Sequence, residues 1–456
     1  MTRRGLLLGG VALAATPALA SPIDTEPDAI IEWLAALGRG AGFSEYAEGL
    51  PTWAARLDPA LHRIRSHPAL RRLRLARANA GIGYDALPSL ALHLTGAPEA
   101  LALREGLTPW PTALDGRWKD VDVAAFLREA SNAARKARFP ALWADADDLR
   151  SRAADSARLQ ADKLDVAWLE AWFGFPAPGR VRVVPSLSSA PHNYGVRRAG
   201  RDPELAAVLG VSEVDGSFLA GGESLLVHEV GHSFVNPLVD GHRAVFEAPA
   251  RALFGAVEER MQAKAYGSWE TVVKESVLRA LVVRYLDAHG GPGAARSEVA
   301  RQIDDGFPWT LVLADALLAY EADRPRYPTF GDFSVPLAAT LSVVADEEIA
   351  RAANRPKLVS IDPAPGSVVP ANHPALVVIF DRRMKDMSWS IVGAPEDIPE
   401  SGDPRYEQGG TRFVMPWTLT AGRTYKLAMN SARFRGFRSA EGVPLDPVEL
   451  SFSAAR

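Results

Sequence analysis

The sequence predicts an α+β protein in which a mainly helical domain carries one small sheet and is followed by a separate all-β sandwich. Three observations carry this. Apolar residues recur at helical spacing from Asp28 to about Phe173 and again from about Glu223 to Ala353. Between Gly179 and Gly222 the pattern changes to short strand-like runs separated by glycines. After Asn354-Arg355-Pro356 apolar residues alternate with polar or small ones, the period of half-buried strands.

Taken in chain order, residues 1–20 read as an export signal: Arg3 and Arg4, an apolar run from Leu6 to Ala15, and the small-residue site Ala18-Leu19-Ala20 before Ser21. Pro17 stops the apolar run short of the about 20 residues that a membrane span needs. Thr2-Arg3-Arg4-Gly5-Leu6-Leu7 also resembles the twin-arginine consensus. The expected location is therefore periplasmic or extracellular, with no transmembrane segment in the mature chain.

Helical spacing is clear in Ile30-Ile31-Trp33-Leu34-Leu37 and in Val121-Val123-Ala124-Phe126-Leu127. Val181-Arg182-Val183-Val184 and the runs divided by Gly195, Gly200 and Gly210 predict a small sheet over about 180–220. The next helix is expected over about 223–237, with Asn236-Pro237 ending it. Further breaks are expected at Asp240-Gly241, Gly267, Gly290 to Gly293 and Pro325 to Pro328. The domain so built spans 21–354. Residues 355–456 form the all-β domain, where Tyr425, Leu427 and Met429, and then Val448, Leu450 and Phe452, mark strands of a β-sandwich.

Composition narrows the function. Of 456 residues 47% are hydrophobic and 23% charged, which suits a folded globular chain rather than a disordered, collagen-like or membrane-bundle one. The net charge of −4, or −6 without Arg3 and Arg4, gives no basic surplus for a nucleic-acid partner. The absence of cysteine excludes thiol nucleophiles, Cys-ligated zinc, iron–sulfur clusters, disulfides and a lipoprotein anchor. A metal would have to be held by His, Asp or Glu.

Leu225-Leu226-Val227-His228-Glu229-Val230-Gly231-His232-Ser233-Phe234 places His-Glu-x-x-His inside an apolar helical run. Side chains four apart share a helix face, so His228 and His232 can hold one zinc ion between them. Glu229 projects toward the position of a metal-activated water and can act as its general base. The chemistry implied is hydrolysis of an amide, with one zinc per chain as cofactor and a peptide or protein, including cell-wall peptides, as substrate.

A catalytic zinc commonly takes three protein ligands. Val235 and Leu238 stand where a metzincin has its glycine and third histidine, so that class is excluded. His242 follows Asp240-Gly241 and reads as a loop or capping residue. Glu247 lies before Pro249 at a helix start, and Glu258-Glu259 reads as a solvated helix face. Glu275 stands in a helix that is apolar over most of its circumference, where a carboxylate needs a partner. It is the preferred third ligand, with Arg279 behind it, and Glu258, Glu259 and His242 are the alternatives. Tyr194 and Tyr285 are the candidate oxyanion stabilisers, with His192 and His242 also available.

The zinc arrangement resembles the gluzincin class of metallopeptidases, in which a glutamate on a later helix completes the site. Ser66-His67-Pro68-Ala69-Leu70, Gly81-Ile82-Gly83-Tyr84-Asp85-Ala86, His228 to Pro237 and Glu275 to Tyr285 resemble an exported bacterial family of unknown function. That resemblance spans most of residues 25–350, implies a zincin-like fold for the helical domain, and places the family's Glu-x-x-x-Arg-Ala at Glu275 to Ala280. It supplies no substrate. Val359 to Gly366, Val377 to Asp381 and Leu419 to Tyr425 resemble bacterial immunoglobulin-like modules of exported enzymes. The expectation is an exported zinc metallopeptidase with an accessory sandwich. The alternatives are a peptidoglycan-peptide hydrolase and a non-catalytic zinc-containing protein that binds a cell-envelope partner.

Overall fold

The computed structural model describes residues 23–431 and 433–456, so the export signal expected at residues 1–20 lies outside the described residues. The fold is α+β, about half helical with several small sheets. Contacts divide the chain into two compact units, the first running to Val166 with Ala177–Ser233 added, the second Ala167–Pro176 with Phe234–Arg456. The boundary expected at 354 falls inside the second unit, directly after its last long helix.

The first unit begins with α1 (Ala29–Ala41), α2 (Pro51–Arg63), α3 (Pro68–Ala80) and α4 (Ala86–Leu92). A short ribbon, β1 (Leu94–Thr95) with β2 (Ala102–Leu103), precedes α5 (Val123–Ala137), α6 (Phe139–Ala144) and α7 (Asp147–Ala161). Asp28 starts α1 by accepting the Ile30 and Ile31 amides at 2.9 and 3.2 Å, and Gly42 ends it in a left-handed conformation at φ 86°. The inward face of α1 buries Trp33, Leu34 and Leu37 completely.

The sheet expected between 180 and 220 is present: β3 (Arg180–Ser186), β4 (Asn193–Arg198), β5 (Glu204–Val214) and β6 (Ser217–Ala220). Central β5 runs parallel to β3 and antiparallel to β4 and β6. Every residue of β5 from Glu204 to Val211 is buried, so both faces of the sheet are covered. Among the described residues β4 pairs with β5 alone, which makes it an edge strand. The Glu32 carboxylate of α1 anchors the end of β3. It accepts from Trp53 Nε1 at 2.8 Å, Ser186 Oγ and the Leu187 amide at 3.0 Å, and Ser188 Oγ. Burial pushes this carboxyl upward in pKa, and the four donors act against that shift.

In the second unit α8 (Val166–Phe173) contributes Trp172, packed against Tyr320 and Phe330. Helix α9 (Glu223–Gly241) crosses from one unit into the next and is followed by α10 (Arg243–Gln262), α11 (Trp269–Asp304), α12 (Thr310–Ala322) and α13 (Ser334–Ala353). The expected break at Asp240-Gly241 coincides with the end of α9, those at Gly267 and Pro325 to Pro328 fall between helices, and Gly291 interrupts α11 with φ 73° and ψ −179°. One expectation is corrected. Pro237 does not end α9, which continues to Gly241. A proline removes one helical hydrogen bond and crowds the preceding turn, but the burial of Leu238 and Val239 holds the last turn in place.

The C-terminal part comprises β7 (Leu358–Asp362), β8 (Val368–Val369), β9 (Ala375–Phe380), β10 (Ile391–Val392), β11 (Glu400–Ser401), β12 (Arg405–Glu407), β13 (Arg412–Thr418), β14 (Thr424–Met429) and β15 (Val448–Ala454). One sheet has the order β10-β14-β15-β8 and the other β11-β13-β9-β7, with β12 beside β13. Leu376, Val378 and Phe413 from the second sheet share one core with Tyr425, Leu427 and Phe452 from the first.

Candidate metal centre

Helix α9 carries His228 and Glu229 side by side, with His232 one turn on. Their surroundings are apolar: Leu226, Val227, Val230 and Phe234 are at most 1% exposed. The two imidazole rings stand perpendicular, 4.9 Å apart between centroids. Glu229 is buried, and its Oε2 lies 4.0 Å from Nε2 of His232. Each of His228, His232 and Glu275 offers one ligand atom within 4.8 Å of the others, so the three could hold a metal ion.

That donor set fits zinc. Two imidazoles and one carboxylate are a recurrent catalytic zinc set, and ligand atoms about 2.0–2.1 Å from a tetrahedral ion lie about 3.4 Å from one another. The side chains would have to draw together by about 1.4 Å at most, a movement within reach of small side-chain torsions. Glu275 on α11 is 6% exposed and is held from behind by Arg279, whose Nη2 lies 3.4 Å from Oε2. Arg279 is itself fixed by Tyr266 Oη at 3.0 Å, Asp305 Oδ2 at 2.6 Å, the Gln302 side chain, and the Phe307 ring 4.0 Å beneath it. Burial opposes its charge, but the carboxylates of Glu275 and Asp305 and the Tyr266 hydroxyl outweigh that and raise its pKa. Arg279 therefore remains a cation that orients the Glu275 carboxylate.

The other acidic candidates lie outside the group. Glu247 pairs with Arg251 at 2.9 Å across one helical turn, and Glu258 accepts from Gln262 at 2.9 Å on an exposed face shared with Glu259. His242 precedes α10, its Nδ1 2.9 Å from the Leu238 carbonyl.

Strand β4 lies against α9. A Cβ built on Gly195 would fall 2.1 Å from the Glu229 carbonyl oxygen and 3.1 Å from His232 Cβ. Gly195 is thus the residue that lets the edge strand approach the motif, a role the sequence signalled only by a glycine within a strand-like run. Because side chains alternate along a strand, Tyr194 points to the opposite face from α9. There it packs beside Tyr46, with ring centroids 6.1 Å apart, and burial raises its pKa. This corrects the expectation that Tyr194 serves the metal centre. Tyr285 is fully buried on α11, stacked on His289 at 4.0 Å and edge-on to Trp168 at 5.2 Å. His192 packs edge-on against Tyr84 at 6.1 Å.

Residues 207–339 match a family model described as a domain of unknown function (DUF4932), a segment running from β5 through α9 and α11 into α13. No curated protein matches the chain. Among solved structures, the surface layer protein SbsC, domains 1–6, is 16% identical over 50% of this chain and 33% of that chain, with a TM-score of 0.17. The S-layer protein rSbsC is 15% identical over 52% of this chain and 34% of that one, also at 0.17. The chain spans about one third of the length of these S-layer chains, and the score is that of unlike folds.

Proposed function

We propose that the chain is an exported zinc-dependent hydrolase of peptide bonds, with His228, His232 and Glu275 as ligands and Glu229 as general base. The observation that carries this reading is the convergence of the three ligand side chains around a motif whose intervening glutamate is buried beside them. A zinc ion held by these residues would supply Lewis acidity to a substrate carbonyl and to a water. Glu229, buried beside the histidine pair, would take the proton of the attacking water and deliver it to the leaving amine. Arg279 holds the Glu275 carboxylate in position. Strand β4, at the edge of its sheet among the described residues, is the element beside α9 along which we place an extended peptide. Tyr285 lies ten residues, about 15 Å of helix, beyond Glu275 and is fully buried, so we assign it no part in holding the developing oxyanion.

In this reading the helical part is a zincin-like, gluzincin-type catalytic domain, and the two-sheet region is its accessory immunoglobulin-like module. Among the described residues no helix is long and apolar enough to cross a membrane. Glu229→Gln should keep its zinc and its fold while losing hydrolysis of a peptide library by about 100- to 10,000-fold, the usual cost of removing a general base. Unchanged turnover with zinc retained would reject the mechanism.

A further inference from the structure

One end of the two-sheet region combines exposed apolar side chains with a local excess of positive charge. Two loop segments meet there, 381–390 and 433–439. The Lys385 amide donates to the Arg438 carbonyl at 2.9 Å, and Ser388 Oγ donates to the Gly436 carbonyl at 2.6 Å. Met387 stands at the tip of the first loop, 80% exposed, in left-handed backbone at φ 56°. A non-glycine residue is disfavoured in that conformation, so the turn keeps an apolar side chain in water at a conformational cost. Phe434 in the second loop is 50% exposed, with the Arg433 guanidinium 5.4 Å from its ring centre. It also borders an open cleft of about 480 Å³ lined by Trp389, Ile391, Val392 and Met415.

The charge around these side chains runs against that of the chain. Arg383, Lys385, Arg433 and Arg438 lie in the two loops, against Asp386 and the nearby Glu441, while Arg382 is paired with Asp381 at 2.9 Å. The whole chain carries −4. We infer that this end of the domain docks on an anionic lipid surface, with Met387 and Phe434 entering the boundary between headgroups and acyl chains and the surrounding cations meeting lipid phosphates. A soluble polyanion would satisfy the cations but offers no apolar phase for Met387, so the pairing of the two features favours a bilayer.

The test is co-sedimentation of the full chain with equimolar phosphatidylglycerol–phosphatidylcholine vesicles and with pure phosphatidylcholine vesicles. Binding to the anionic vesicles should exceed binding to the neutral ones and weaken as salt is raised. A Met387→Ser/Phe434→Ser variant should lose about tenfold or more in partitioning while keeping the circular dichroism of the parent. An Arg383→Gln/Lys385→Gln/Arg433→Gln variant should lose the preference for anionic lipid. Absence of binding to anionic vesicles would overturn the proposal. So would binding that the apolar pair does not affect, which is the behaviour of a surface made for a soluble polyanion.

Discussion

Replacing Gly195 by alanine tests how closely β4 is seated on the motif helix. The added methyl carbon would lie 2.1 Å from the Glu229 carbonyl oxygen, about 1 Å inside ordinary contact, and the opposing atom is helix backbone that cannot rotate aside. Strand and helix must therefore separate. Forcing an extra carbon into a packed site costs about 1–3 kcal/mol, and for a unit of this size that lowers the melting temperature by about 2–12 °C. The displacement acts on Glu229 itself, so hydrolysis should fall further than stability does. Gly255→Ala is the control: nothing lies within 4 Å of its built Cβ inside α10, and alanine there should stabilise by about 0.5–1 kcal/mol. Thermal unfolding by circular dichroism compares the pair. If Gly195→Ala melts with the parent, β4 and α9 are not in the contact described.

Two further outcomes follow from the packing. His93 is buried with Nδ1 2.9 Å from the Ser89 carbonyl and no partner for Nε2, and burial lowers its pKa. The unfolded chain therefore takes up a proton near pH 6.5 while the folded chain resists it. Stability is full above that value and is lost as pH falls below it, by at most about 1.4 kcal/mol per pH unit from this site. His93→Gln should flatten urea-unfolding profiles between pH 7 and pH 5; an unaltered slope would clear His93 of that role. Removing residues 356–456 should leave a folded chain that still binds zinc, because the two sheets close their own core and all three ligands precede Asn354. Loss of solubility or metal would show that the two-sheet region completes the helical part.

Much of this organisation is legible in the sequence because it is local. The helical breaks follow glycine and proline, and the spacing of His228, Glu229 and His232 fixes their shared face without reference to the rest of the chain. Glu275 is legible for a related reason, as a carboxylate in an otherwise apolar helix that asks for a partner. Pro237 misleads because a proline that can end a helix can also be carried within one when the following turn is buried. Tyr194 misleads for another reason: alternation separates the two faces of β4, but with both faces of the sheet covered it does not say which one meets α9. The part played by Gly195 depends on the approach of a helix that follows 28 residues later, and no local pattern encodes that distance.

The metal content of the purified chain bears most directly on the central claim. Elemental analysis after dialysis should find about one zinc per chain in the parent and in Glu258→Gln. Glu275→Gln should bind zinc about 10- to 100-fold more weakly or worse, since even residues behind the ligands produce losses of that size. A parent chain that binds no zinc, or a Glu275→Gln variant that holds it as tightly as the parent, would contradict the assignment of His228, His232 and Glu275 as one metal centre.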